Sequence, residues 1–146
     1  MGTFYGCKYL DIPPELPEDV NVGSYKNMFR NSGITKTPSK FHEELADKCY
    51  EGMFAGCSDL TWSANLPAAI IKNSSYNSMF LNCTSLIIAP ILQSNFKIDA
   101  YGNGYREVWN QGCMRMFQGS GLIHPPVLKN EEVVTLGNSN TKIRVY

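Results

Sequence analysis

Residues 49–67 read Cys49-Tyr50-Glu51-Gly52-Met53-Phe54-Ala55-Gly56-Cys57-Ser58-Asp59-Leu60-Thr61-Trp62-Ser63-Ala64-Asn65-Leu66-Pro67, and altered copies of this string recur on both sides. A two-residue mark sets the register: Thr3-Phe4, Met28-Phe29, Met53-Phe54, Met79-Phe80 and Met116-Phe117. The phenylalanines are 25, 25, 26 and 37 residues apart. Self-similarity at such a period predicts a stack of repeats, in which each unit buries its apolar face only against its neighbours. Tyr50, Met53, Phe54 and Cys57 fall at i, i+3, i+4 and i+7, the stripe of a two-turn amphipathic helix. Tyr76, Met79, Phe80 and Cys83 repeat it, and Tyr25, Met28, Phe29 and Ser32 nearly do. Asp47 is placed to cap the helix that carries Tyr50.

After each stripe comes a run too short for a helix, such as Leu60-Thr-Trp-Ser-Ala64 or Leu86-Ile-Ile-Ala-Pro90. Four residues past its first apolar position stand Pro14, Pro38, Ala64, Pro90 and Pro126. Proline has no N–H for a ladder, so a strand ends there. A second apolar corner follows at Leu16, Leu66, Leu92 and Leu128. The expected fold is an α/β solenoid, a right-handed coil of about five strand-plus-short-helix repeats with a terminal β-hairpin.

The Met-Phe-x-x-Cys-x-x-Leu core with its Pro-x-Leu-Pro corner resembles the BspA-like leucine-rich repeats of bacterial surface proteins and of associated phages and protists. The likeness covers about residues 1–128. It implies a leucine-rich-repeat solenoid and adhesion to host proteins or other cells. Two repeats depart from the pattern: Asn31-Ser-Gly-Ile34 and Gly119-Ser-Gly-Leu122 are one residue shorter and carry serine for cysteine.

At 146 residues the chain suits one domain. Thirteen basic residues cancel thirteen acidic ones without a basic run, which argues against nucleic acid as the main partner. No apolar run reaches transmembrane length and no signal segment follows Met1. The first repeat begins at once without a polar capping repeat, as expected of a segment from a longer chain or of an end that docks on a neighbour. Of the five cysteines, Cys7, Cys57 and Cys83 each sit three residues after the repeat phenylalanine. This predicts a row of buried, reduced thiols more readily than a disulfide framework or a metal site. Phe41-His42-Glu43-Glu44-Leu45 lacks the second histidine of a zinc-protease helix, and no nucleophile, base or cofactor motif is legible.

Strand alternation predicts Leu60, Trp62 and Ala64 facing in, with Thr61 and Ser63 facing out. The same count exposes Asp11, Pro13, Thr35, Thr37, Ile87, Ala89, Ile123 and Pro125, and turns Lys36 and His124 inward. The fourth repeat is about eleven residues longer than its neighbours, within residues 93–110. The extra segment holds Tyr101, Gly102, Gly104, Tyr105 and Trp109, which serve either as an aromatic binding loop or as an internal cap. Candidate binding residues are therefore Tyr101, Tyr105 and Trp109, with Thr35, Thr37, Thr61 and Ser63 on the sheet face. Residues 129–146 read as a hairpin cap, with Glu132-Val-Val-Thr-Leu136 and Thr141-Lys-Ile-Arg-Val-Tyr146 around a turn.

The expected function is a non-enzymatic recognition or adhesion module at the cell surface, outside the cell or on a virion. It would bind a protein or glycan on a host or neighbouring cell, with no cofactor, metal, nucleic acid or inserted membrane. The rival is a structural part of a phage virion or surface assembly, packed against symmetry mates.

Overall fold

The computed structural model describes residues 2–93, 97–98, 104–105 and 112–123. Among them there is no helix, and the only strands are β1, Lys97–Ile98, and β2, Gly104–Tyr105. These pair antiparallel, with Lys97 opposite Tyr105 and Ile98 opposite Gly104. The expected α/β leucine-rich-repeat solenoid of strand-plus-helix units is thereby overturned. The predicted helices are runs of turns, the predicted strands shrink among the described residues to one isolated parallel bridge, Lys36 with Trp62, and a second bridge joins the corner residues Leu66 and Leu92.

Hydrogen bonding explains why the stripe is not helical. In the second repeat the N–H groups of Gly23, Tyr25, Asn27, Phe29 and Asn31 leave the segment altogether. They donate to the carbonyls of Asp47, Cys49, Glu51, Met53 and Ala55 in the third repeat, at 2.9 to 3.0 Å. The N–H groups between them, on Ser24, Lys26, Met28, Arg30 and Ser32, turn back three residues to Asn21, Gly23, Tyr25, Asn27 and Phe29. An α-helix must send every N–H back four residues, so it cannot share half of them with a neighbour. We call each such repeat a tier. Along the turns the inter-tier bonds run from the N–H of one tier to the carbonyl of the next, as at Phe4, Phe29, Phe54 and Phe80, whereas on the far side Gly33, Thr35, Thr61, Gly121 and Ile123 donate back to the preceding tier.

A chain that turns at every second residue needs left-handed backbone at regular intervals. Positive φ recurs at every fourth residue: Gly23, Asn27 and Asn31; Lys48, Gly52 and Gly56; Ser74, Ser78 and Asn82. Asn27, for example, is third in the turn closed by Met28 N–H on the Tyr25 carbonyl, where a type II turn requires φ > 0. Glycine and asparagine fill most of these sites because they tolerate that region best. Lys48, with φ of 57°, does not suit it. Lys48→Gly is expected to stabilise the protein by about 1 kcal/mol, a sign opposite to that of glycine inside a helix. Urea denaturation checks it; a loss of stability would contradict the turn ladder.

Burial follows the square period of these turns. Cys49, Tyr50, Met53, Phe54 and Cys57 are all fully buried. Stacking tiers then builds side-chain rows. The rings of Phe4, Phe29, Phe54, Phe80 and Phe117 lie parallel at centroid spacings of 5.4, 5.7, 5.5 and 5.4 Å. Tyr25, Tyr50 and Tyr76 form a second row, and Phe41 meets Tyr50 and Phe54 edge-on. Ile34, Leu60 and Leu86 close the core on the far side, with Leu66 and Leu92 at the corner.

The shortened repeats keep register through glycine. Gly33 N–H reaches the Cys7 carbonyl at 3.1 Å and Gly121 N–H reaches that of Cys83 at 3.2 Å, so both repeats stay hydrogen-bonded to the preceding tier. A Cβ on Gly33 would collide with the Lys8 carbonyl oxygen, and one on Gly121 with that of Thr84. Glycine permits an approach that no other residue allows.

Candidate recognition face

After the buried row that runs through Ile34, Leu60 and Leu86, two consecutive residues face solvent and the third turns back in. Strict alternation predicts one outward residue, and the difference moves several side chains. Trp62 is not core but 50% exposed, and Lys36 is exposed beside it, its backbone bridged to that of Trp62. Thr37 and Ser63 are not on the face: both are buried. The Thr37 hydroxyl donates to the Pro38 carbonyl and accepts from Ala64 N–H, each at 2.9 Å, while the Ser63 hydroxyl donates to the Ala64 carbonyl at 2.9 Å. These hydroxyls satisfy backbone groups at the corner, so they are spent on structure. Pro13 is likewise buried and Ala89 half-buried.

Thr35 and Thr61 do face outward, as expected. Thr35 donates from its hydroxyl to Asp11 Oδ1 at 2.7 Å and from its N–H to the Asp11 carbonyl at 3.1 Å. Thr61 reaches the Thr35 carbonyl with both N–H, at 2.9 Å, and hydroxyl, at 3.2 Å. The outward positions therefore form two rows, one through Asp11, Thr35, Thr61, Ile87 and Ile123, the other through Ile12, Lys36, Trp62 and Ile88. Along the first row the surface changes from polar at Asp11, Thr35 and Thr61 to apolar at Ile87 and Ile123, while the second carries Lys36 and Trp62 between the exposed Ile12 and Ile88. Ile87, Ile88 and Ile123 are all large, exposed aliphatics, Ile88 at 72%. No periodic packing role accounts for them, because Leu86 and Leu122 beside them supply the inward row.

Of the aromatic candidates, Tyr101 and Trp109 lie outside the described residues, as do His124, Pro125 and residues 129–146. Tyr105 lies on β2, where its backbone pairs with Lys97.

A second concavity, of about 410 Å³, opens on the turn side between Asn27, Arg30, Glu51, Gly52, Asn77, Ser78, Met114 and Arg115. Its charges are partly committed. Glu51 Oε2 lies 3.1 Å from Lys26 Nζ and Arg30 donates to Asn27 Oδ1 at 3.3 Å.

The titratable core groups are structural. His42 donates its backbone N–H to the Tyr50 hydroxyl, and its ring bridges that hydroxyl and the Pro17 carbonyl. Since a carbonyl only accepts, Nε2 carries the proton and Nδ1 accepts from Tyr50. His42 is thus a strut between two tiers, with Tyr25 stacked on it. Burial raises Tyr25, Tyr50 and Tyr76 above the ordinary tyrosine range, which keeps them protonated.

All five thiols are free. Cys57 donates to the Phe29 carbonyl at 3.0 Å and Cys83 to the Phe54 carbonyl at 3.1 Å, each reaching back one tier. Burial pushes Cys49 up to about 11 and also raises Cys57, Cys83 and Cys113, so these four are poor nucleophiles. Cys7, expected in the same buried row, is instead exposed, because no preceding tier covers it in the structure. One thiol should react with a thiol reagent in the native protein and five after denaturation. A second fast-reacting native thiol would contradict the assigned register.

Among the described residues no three His, Cys, Asp or Glu side chains gather into a group able to hold a metal, and no helix is long and apolar enough to cross a membrane. Compared with protein-family models, curated proteins and solved structures, the chain matches none.

Proposed function

We propose that the protein is a non-enzymatic recognition or adhesion module that binds a protein or glycan through the outward rows centred on Trp62. One observation carries this reading: a half-exposed tryptophan continues into exposed Ile87, Ile88 and Ile123 on one side and into the exposed polar residues Thr61, Thr35 and Lys36 on the other. Exposed apolar surface rimmed by polar groups marks interaction sites, and tryptophan dominates binding hot spots. Trp62 also offers a flat platform to a sugar ring. The motif likeness to repeats of bacterial surface proteins points the same way and agrees with a location on a cell surface, outside the cell or on a virion.

The test is binding of the purified protein and its Trp62→Ala variant to arrays of glycans and of purified extracellular proteins. At least one probe should bind the native protein, and the variant should bind it about 30-fold more weakly. Because half of the indole is already in solvent, the variant should lose no more than about 1 kcal/mol of folding stability. Absence of any binding, or binding indifferent to both Trp62→Ala and Ile88→Asp, would overturn the proposal.

A further inference from the structure

Two columns of left-handed residues run along the turn side, each taking one residue from every tier. The column Gly6, Asn31, Gly56, Asn82 and Gly119 alternates glycine with asparagine throughout, all at positive φ. The alternation has a steric cause. A Cβ on Gly56 would collide with Asn31 Oδ1 and one on Gly119 with Asn82 Oδ1, so each carboxamide fills the space that the glycine of the following tier leaves open. The neighbouring column starts alike with Gly2, Asn27 and Gly52, and a Cβ on Gly52 would collide with Asn27 Oδ1. Then the pattern breaks. Where the next asparagine and glycine are due stand Ser78 and Arg115, still at φ of 56° and 54°. The concavity of about 410 Å³ is lined by both, so it opens where the alternation fails. Arg115 sits in a backbone region that favours glycine, and its side chain is exposed.

The lining is polar apart from Met114, and its charge is unequal. Arg30 and Arg115 bring two guanidinium groups, while Glu51, the one carboxylate in the lining, is already ion-paired with Lys26. Asn27 Oδ1 accepts from Arg30 and Asn77 Oδ1 accepts from the Ser78 hydroxyl. Among the described residues no acceptor meets the side-chain N–H groups of either asparagine. We propose that this concavity binds a sugar carrying a carboxylate, a uronic acid. The carboxylate pairs with the forked guanidinium groups of Arg30 and Arg115. The sugar hydroxyls accept from the Asn27 and Asn77 amides and donate to the oxygens of Ser78 and Glu51. The volume lies at the small end of the range for ligand pockets, which suits one sugar ring. Charge sets the rivals aside. An amino acid would bring an ammonium group to a carboxylate that Lys26 already neutralises, and a doubly charged phosphate would be repelled by Glu51 more than a singly charged carboxylate. The site shares no lining residue with the rows around Trp62, so this inference stands or falls independently of the recognition reading.

NMR titration of the whole protein with glucuronate and galacturonate, set against glucose and inorganic phosphate, tests the site. At least one uronate should bind saturably, about 10-fold or more tighter than either glucose or phosphate, the discrimination expected of a charge-assisted hydrogen bond. Arg115→Gln should weaken that binding by about 10-fold or more, while Trp62→Ala should leave it unchanged. The double change Ser78→Asn with Arg115→Gly completes the alternation of the column. It should abolish uronate binding and raise the melting temperature, because asparagine and glycine suit left-handed backbone better than serine and arginine. A variant that melts higher is folded, so its loss of binding reports the filled site. Failure of both uronates to bind would overturn the proposal, as would equal binding of phosphate, which marks a plain anion site. Uronate binding that survives in the double variant, or that depends on Trp62, would overturn it too.

Discussion

Phe54→Ala is expected to destabilise the protein by about 3 to 5 kcal/mol, the largest effect of any single core truncation in the third tier. Its ring is fully buried, parallel to Phe29 on one face and Phe80 on the other, with Phe41 against its edge. Removing it empties a space bounded by three other rings, and the backbone on both sides is tied to neighbouring tiers, so little collapse can fill the cavity. Phe4→Ala removes a ring stacked on one face only and should cost clearly less. Chemical denaturation of the two variants measures the difference. Equal losses, or a loss under about 0.5 kcal/mol at Phe54, would show that the row is not the core.

Gly33→Ala is the second large effect, expected at about 2 to 3 kcal/mol, although the change adds one methyl group. The added Cβ runs into the Lys8 carbonyl oxygen, which is backbone and cannot rotate away, and the Gly33 N–H holds the segment in place through the Cys7 carbonyl. Gly6→Ala supplies the comparison. It lies at a φ of 71° but has open space around its Cβ position, so only the backbone penalty of about 1 to 2 kcal/mol applies. Should Gly33→Ala prove milder than Gly6→Ala, the close approach between the first and second tiers is not as the structure has it.

Much of the register was readable from residue spacing alone. The Met-Phe marks place five rings in one row, the Ile34, Leu60 and Leu86 positions are core, and Thr35 and Thr61 face out. The backbone conformation was not readable from the apolar stripe, because i, i+3, i+4 and i+7 fit a turn ladder of period 4 as well as a helix of period 3.6. Those two periods differ by about 10° per residue, too little to separate over eight residues. The distinguishing signal lies in the other residues. Gly2 and Gly6, Gly23, Asn27 and Asn31, and Gly52 and Gly56 recur every fourth position, which opposes a helix and suits left-handed turns. Trp62, Thr37 and Ser63 were misplaced for a related reason: alternation presumes a strand, and a single bridge does not impose one.

The direction of the ladder has an electrical consequence. The peptide groups joining Thr3 to Phe4, Met28 to Phe29, Met53 to Phe54, Met79 to Phe80 and Met116 to Phe117 form a single file, each N–H on the next carbonyl at 2.9 Å. Ordinary sheets alternate such groups and cancel them; here they add head to tail, as along a helix axis. Each bond polarises the next, by about 10 to 30% in condensed-phase estimates. Among the described residues the dipoles of this file therefore sum with their negative end towards Thr3 and their positive end towards Phe117, while the bonds from Thr35 N–H to Asp11, Thr61 N–H to Thr35 and Ile123 N–H to Ile87 run the other way and offset part of that sum.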